Sequence, residues 1–398
     1  MYEPHKLYMK YALRLLLFNF LLVCFRAVGY TQSNSPMEYG VVKNMPSFYE
    51  ELKSSLSFPM AWDNFNSNRY KKWQRVARAK VLECMSPAPP CAVSFAPEIL
   101  AEELRHGYRA QKLMFNVNAW CRVPAYLLVP DGEGPFPAVL VLHDHGAHFS
   151  IGKEKVVRPF GVPSEVLADA ESWSDACYDG EFVGDRLARE GYVVLAVDAL
   201  FWGDRGRREG PNYEAQQALN ANFLQMGMSF GSFIAWDDLR SVEFLCTLPC
   251  VKSDEVAVMG HSMGGHRAWM TAALSDKVKA GVAICWMNTT QHLVTLTNNQ
   301  SKGGSAYSMI IPGLRNYLDY PHVASLACPK PMLFMNGTKD KLFPVQGVED
   351  AYAAMRRVWH AQKADSQLVT RFVDSPHYFG KAMQDEAIMF LNRVFKCE

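Results

Sequence analysis

The sequence predicts an α/β fold, a mainly parallel central sheet with helices on both faces, preceded by an N-terminal helical extension. Two observations carry this. From residue 125 to the C-terminus, short apolar, β-branched runs alternate with helix-forming stretches, the pattern of parallel strands joined by crossover helices. One such run, Val256–Met259, leads into Gly260–His261–Ser262–Met263–Gly264–Gly265 and then a helical stretch. A strand, tight turn and helix of this kind holds a serine hydroxyl clear of its own backbone at the carboxyl end of a sheet.

Lys6, Lys10 and Arg14 precede the apolar stretch Leu15–Phe25. That stretch is short and interrupted for a membrane span and reads as a secretory signal peptide, residues 1–30, cut between Ala27 and Gln32. Export to the periplasm or the outside is expected, with no stable membrane insertion after cleavage. Residues 31–110 read as the helical extension packed on the core. In it Phe48–Leu56 and Arg69–Met85 have helical spacing, with Tyr70, Trp73, Val76, Ala77 and Val81 near one face. Pro87–Pro90 breaks the chain before the main domain, residues 111–398.

In that domain strands are expected at Ala125–Pro130, Pro137–Leu142, Gly191–Asp198, Glu255–Met259, Ala280–Trp286, Pro331–Asn336 and Gln367–Val373. Gly191–Asp198 has the continuous apolar composition of a strand buried on both faces. Helices are expected at Gly180–Glu190, Trp236–Thr247, His266–Leu274, Val348–Ala364 and Met383–Phe395. Ala147–Asp179 reads as a long insertion whose Lys153, Lys155 and Arg158 are solvated or meet a polar substrate. Asp204–Arg205 reads as a structural pair and Trp286 as a core residue.

A net charge of +1, from 41 basic and 40 acidic residues, gives no electrostatic footprint for a nucleic-acid partner. Removal of Cys24 with the leader leaves an odd number of cysteines, hence at least one unpaired thiol. Cys84 with Cys91, or Cys246 with Cys250, could bridge in an oxidising compartment; packing as small buried hydrophobes is the plainer expectation.

A serine hydroxyl is a weak nucleophile until a base takes its proton. His377 stands on a loop after an expected strand, whereas His360 lies in a charged helical run; His377 is the expected general base. Asp340 follows the short buried run Pro331–Asn336, which places it on the rim that carries Ser262, where it would orient the imidazole. Asp319 and Asp374 are the reserve acids. Charge developing on a carbonyl oxygen needs fixed donors. The expected donors are the backbone N–H groups of Met263 and of His145, with Ala147 as the alternative to His145. The run His143–Asp144–His145–Gly146–Ala147–His148 carries three histidines, but no zinc-type spacing of partners accompanies them, so neither metal nor cofactor is expected and the imidazoles brace the loop.

With Leu142–His143–Asp144–His145–Gly146, Gly260–His261–Ser262–Met263–Gly264–Gly265, Asn336–Gly337–Thr338–Lys339–Asp340 and Ser375–Pro376–His377, residues 110–398 resemble the α/β-hydrolase superfamily, and within it the dienelactone hydrolase and acetyl-xylan-esterase group. The resemblance implies the α/β-hydrolase fold, Ser262, Asp340 and His377 as a catalytic triad, and His145 and Met263 as oxyanion donors. Dienelactone hydrolases proper use cysteine where this chain has Ser262. The implied activity is that of a secreted serine carboxylic ester hydrolase on a small-molecule or polysaccharide ester, such as an acetylated carbohydrate. A peptidase of the prolyl-oligopeptidase type and a non-enzymatic binding protein on the same scaffold are the alternatives. The former gates its site with a propeller, for which the residues before the main domain are too few.

Overall fold

The computed structural model describes residues 40–65, 69–299 and 307–396. The expected signal peptide lies outside them. The chain divides into two compact units, residues 1–42 and 43–398, and the sheet and the candidate site belong to the second.

Its frame is a nine-stranded sheet. The strands are β1 (Glu98–Arg105), β2 (Tyr108–Asn118), β3 (Cys121–Pro130), β4 (Phe136–Leu142), β5 (Val193–Val197), β6 (Val251–His261), β7 (Ala280–Ile284), β8 (Met332–Gly337) and β9 (Leu368–Val373). They lie in the order β9-β8-β7-β6-β4-β5-β3-β2-β1. Strands β4 to β9 run parallel, and β3, β2 and β1 add an antiparallel flank beyond β5. The interior strands are Val-, Ala- and Leu-rich and buried on both faces, β5 throughout, because helices cover the sheet on each side.

The helices are α1 (Tyr49–Ser54), α2 (Tyr70–Cys84), α3 (Ser164–Tyr178), α4 (Val183–Arg189), α5 (Tyr213–Gln225), α6 (Phe230–Leu245), α7 (Met263–Leu274), α8 (Thr290–Leu293), α9 (Tyr320–Ala324), α10 (Val345–Ala361) and α11 (Lys381–Phe395). The connection after β4 leads to β5 on one side of it, whereas β6 pairs on the other. Loops leaving β4 and β6 therefore diverge at their carboxyl ends and open a crevice, the place where open α/β sheets bind ligands.

Three expectations change here. Among the described residues of 31–110 the α-helices are α1 and α2, ending at Cys84, and β1 and the start of β2 belong to the sheet. Edge strand β1 (EILAEELR) is largely exposed, and a charged edge that avoids further pairing carries no apolar signature. On α2, Tyr70, Trp73, Ala77 and Val81 are buried, but Val76 faces out at 37% exposure. The 147–179 insertion is no extended loop: α3 fills its second half, and Lys153 and Lys155 are fully buried. Lys153 sits among Glu154, Asp198 and Asp204 at 2.6, 2.8 and 2.9 Å. Its ammonium thus occupies the middle of a carboxylate cluster that could otherwise hold a cation.

Asp204 and Arg205 do not pair with each other as expected: Asp204 meets Lys153, and Arg205 pairs with Asp237 at 2.8 Å. Trp286 is buried edge-on against His266, Tyr320 and Phe343. Cys84, Cys91, Cys246 and Cys250 are all free thiols. Among the described residues no helix is long and apolar enough to cross a membrane.

Candidate active site

Strand β6 ends at His261, and α7 starts at Met263. Ser262 between them has φ 55° and ψ −122°, a backbone conformation that costs a non-glycine residue about 1–3 kcal/mol and persists only where surroundings enforce it. The enforcement is visible. Ser262 N–H donates to the Ile284 carbonyl at 2.8 Å, and His266 N–H to the Ser262 carbonyl at 3.0 Å. A Cβ on Gly260 would stand 2.3 Å from the Gly264 carbonyl carbon, and one on Gly264 would stand 1.9 Å from the Leu142 carbonyl oxygen. Both glycines are sterically required. Met263 is the first residue of α7, so its N–H has no partner within the helix.

The turn after fully buried β8 carries Asp340. Its Oδ1 accepts from the Leu342 N–H at 2.8 Å, and its Oδ2 lies 2.7 Å from His377 Nδ1. His377, on the loop after β9, has Nε2 2.8 Å from Ser262 Oγ. A carboxylate only accepts, so Nδ1 carries the proton and Nε2 is left to accept the serine O–H. The Phe343 ring stacks on the imidazole, centroids 5.8 Å apart. The three predicted residues therefore form one hydrogen-bonded line. The reserve acids do not join it: Asp374 is exposed and pairs with Lys339, and Asp319 caps α9 and holds Thr290. His360 pairs with Asp365 at the surface.

On the loop after β4, His143 Nε2 accepts the Ala199 N–H at 3.0 Å, so its Nδ1–H donates to the Asp144 carbonyl at 2.8 Å. His145 Nδ1 accepts the Ala147 N–H at 3.3 Å, and its Nε2–H donates to Gln216 Oε1 at 3.0 Å. Ala147 N–H is thereby engaged, which leaves His145 N–H the better placed of the two expected donors. Burial pushes the His145 imidazole down to about 4, so it remains a neutral brace at pH 7. Ser262, His261, His377, Asp144, His145 and Gly146 line a cavity of about 260 Å³ together with Trp173, Cys177, Tyr213 and Leu342. Trp173 and Tyr213 were not expected at the site: they come from α3 and α5, which carried no separable sequence signal.

A family model described as Abhydrolase family matches residues 28–376. The chain belongs to the abhydrolase family. "Putative hydrolase YtaP" of Bacillus subtilis (strain 168) is 30% identical over 298 residues, 74% of this chain and 91% of that protein. A "putative carboxymethylenebutenolidase", that is a dienelactone hydrolase, of Yersinia pestis is 22% identical over 259 residues, 65% of this chain and 74% of that protein. The crystal structure of a "putative acetyl xylan esterase" from Bacteroides fragilis NCTC 9343 superposes with TM-score 0.65 at 18% identity, covering 87% of this chain and 88% of that one. This abhydrolase thus has the α/β-hydrolase fold and is similar to the dienelactone hydrolase and acetyl-xylan-esterase group.

Burial also fixes a pH response. His145 is held near 4, and His261 and His266 near 3, chiefly by burial. Their unfolded value is about 6.5, so the unfolded chain binds more protons below that pH. Their contribution to stability is complete above pH 6.5 and is lost as pH falls toward the folded values, at up to about 1.4 kcal/mol per pH unit per histidine. Asp198, pushed up to about 6 by burial, acts in the opposite sense, so the informative quantity is a difference. His266 lies edge-on between Trp269 and Trp286, a surrounding that accepts a phenyl ring. His266→Phe is expected to lose less stability than the parent between pH 7 and pH 5, measured as urea midpoints. Parallel pH curves for the two proteins would contradict this.

Proposed function

We propose that this abhydrolase is an exported serine ester hydrolase that removes a small acyl group, acetyl above all, from an acylated carbohydrate. The observation that carries the reading is the line Asp340–His377–Ser262 at the wall of the 260 Å³ cavity. Ser262 Oγ adds to the ester carbonyl while His377 Nε2 takes its proton, and Asp340 stabilises the imidazolium. The N–H groups of Met263 and His145 receive the oxyanion. Collapse of the adduct breaks the ester C–O bond, and His377 returns the proton to the leaving alcohol. Water, deprotonated by His377, then cleaves the acyl-enzyme, giving the free acid and restoring Ser262.

The cavity has room for a short acyl group beside Ser262. Trp173 and Tyr213 in its lining are aromatic surfaces of the kind that pack against a sugar ring. The names of the structural relatives, acetyl xylan esterase among them, point the same way. Export rests on the basic residues and apolar stretch before residue 30.

A fluorophosphonate probe followed by peptide mapping, and a panel running from aryl acetate through longer acyl esters to acetylated xylan and a proline-containing peptide, test the reading. The expected result is a single adduct on Ser262, acetate release from xylan, and rates that fall as the acyl chain lengthens. Cleavage of the peptide without ester turnover would replace it with the peptidase reading. Ligand binding without an adduct would replace it with the binding-protein reading.

A further inference from the structure

The loop after β4 is gripped from behind by a buried cation. Lys155 has no exposed surface. Its Nζ donates to the His145 carbonyl at 2.8 Å and to the Asp144 carbonyl at 3.3 Å, and stands 3.7 Å from Asp144 Oδ1. Trp202 Nε1–H donates to the same His145 carbonyl at 2.9 Å. An ammonium this deep is costly unless its partners compensate it. Burial pulls Lys155 below its ordinary value, and Asp144 opposes the fall. Asp144 is itself secured, accepting from Tyr178 Oη and, at 3.1 Å, from Trp173 Nε1.

The consequence lies in peptide geometry. In a trans peptide the N–H points opposite to the C=O. The Asp144 carbonyl shares a peptide with the His145 N–H, and the His145 carbonyl shares one with the Gly146 N–H. Tying both carbonyls to Lys155 turns both N–H groups away from it. Neither N–H has a hydrogen-bond partner among the described residues, and both residues line the cavity that holds Ser262. Gly146 completes the fit. Its φ is +54°, and a Cβ there would stand 2.6 Å from both Asp144 Oδ1 and the Trp173 ring and 3.0 Å from Lys155 Nζ.

We propose that Lys155 is a positioning residue for transition-state stabilisation: by holding the Asp144 and His145 carbonyls it aims the loop's N–H groups at the oxygen that becomes negative when Ser262 adds to an ester. The inference rests on the serine-ester-hydrolase reading above. Lys155 touches no reacting atom. Its effect is confined to donors that meet charge only in the transition state, so it alters kcat more than KM.

The test compares the full chain with Lys155→Met, which keeps the aliphatic stem, with the charge-balanced pair Asp144→Asn/Lys155→Met, and with Trp202→Phe, which removes one donor to the same carbonyl. For an aryl acetate, loss of Lys155 is expected to lower kcat by about 10²-fold, the scale of a donor displaced by about 1 Å, with KM within about twofold. Trp202→Phe is expected to act in the same direction and more weakly. Inhibition by an aryl trifluoromethyl ketone, which forms a serine adduct bearing an oxyanion, should weaken by the same factor as kcat/KM. A purely structural role would instead lower the thermal midpoint and leave kcat and the ketone Ki of the folded protein unchanged; in either lysine variant that result overturns the proposal. If Lys155→Met does not fold, the charge-balanced pair and Trp202→Phe decide, and full kcat in both overturns it. Ser262→Ala with parental turnover would mean that the hydrolase reading has failed, not this inference alone.

Discussion

Ser262→Ala is expected to lower kcat for an aryl acetate by about 10⁴- to 10⁶-fold while leaving the thermal midpoint nearly unchanged. The Ser262 hydroxyl makes one contact of consequence, to His377 Nε2 at 2.8 Å; the turn itself is held by backbone bonds and by the two glycines. Deleting Oγ therefore removes the nucleophile without removing what enforces the turn. The remaining donors still stabilise charge, so a residual rate above that of water persists. Asp340→Asn makes the complementary case. An asparagine whose Oδ1 still accepts from Leu342 presents an amide N–H₂ to His377 Nδ1, and two donors cannot pair. The imidazole must then adopt the other tautomer, with a proton facing the serine, for a loss of about 10⁴-fold. Initial rates and differential scanning of the three proteins check both statements. Turnover above a tenth of the parent rate in Ser262→Ala would remove Ser262 from the mechanism.

The line Ser262–His377–Asp340 was legible in the sequence because each member follows a parallel strand: Ser262 and Asp340 come after strands with the continuous apolar composition of full burial, and His377 after the half-buried edge strand β9, whose signal is alternation. What lay outside that signal was missed for physical reasons. Strand β1 is an edge whose side chains face water, so its charges imitate a loop. Lys153 and Lys155 read as solvated because buried lysines are rare. Their burial depends on carboxylates and carbonyls from Asp144 and Asp198, which only the fold brings near. Helices α3 and α5 carry Trp173 and Tyr213 to the cavity, but their apolar positions are divided between the core and the site, which blurs the helical period. Val76 lies on the same turn as Trp73 and Ala77 yet faces out, since the buried stripe of α2 is narrow.

The elbow glycines permit a second large prediction, on stability. Gly264→Ala would drive a methyl group to 1.9 Å from the Leu142 carbonyl oxygen and 3.0 Å from that of His143. Neither obstacle is the free end of a flexible side chain. Leu142 is the last residue of β4, paired in register with Gly260 of β6, so relief requires α7 to move away from the sheet, or β4 to part from β6. Either motion opens the centre of the core, and the expected cost exceeds about 4 kcal/mol, beyond what most single substitutions produce. Gly227→Ala is the control. Gly227 also has positive φ, +73°, but nothing lies within 4 Å of a Cβ placed there. That variant bears only the left-handed backbone penalty of about 1–2 kcal/mol. Urea unfolding followed by tryptophan fluorescence separates the two: a large drop in midpoint, or no folded protein, for Gly264→Ala against a small one for Gly227→Ala. Equal midpoints would mean that contact with β4 does not make Gly264 necessary. The same contact joins β4 to the first turn of α7, so the loop that carries His145 and the turn that carries Ser262 are held in register by backbone packing, before any side chain of the site is considered.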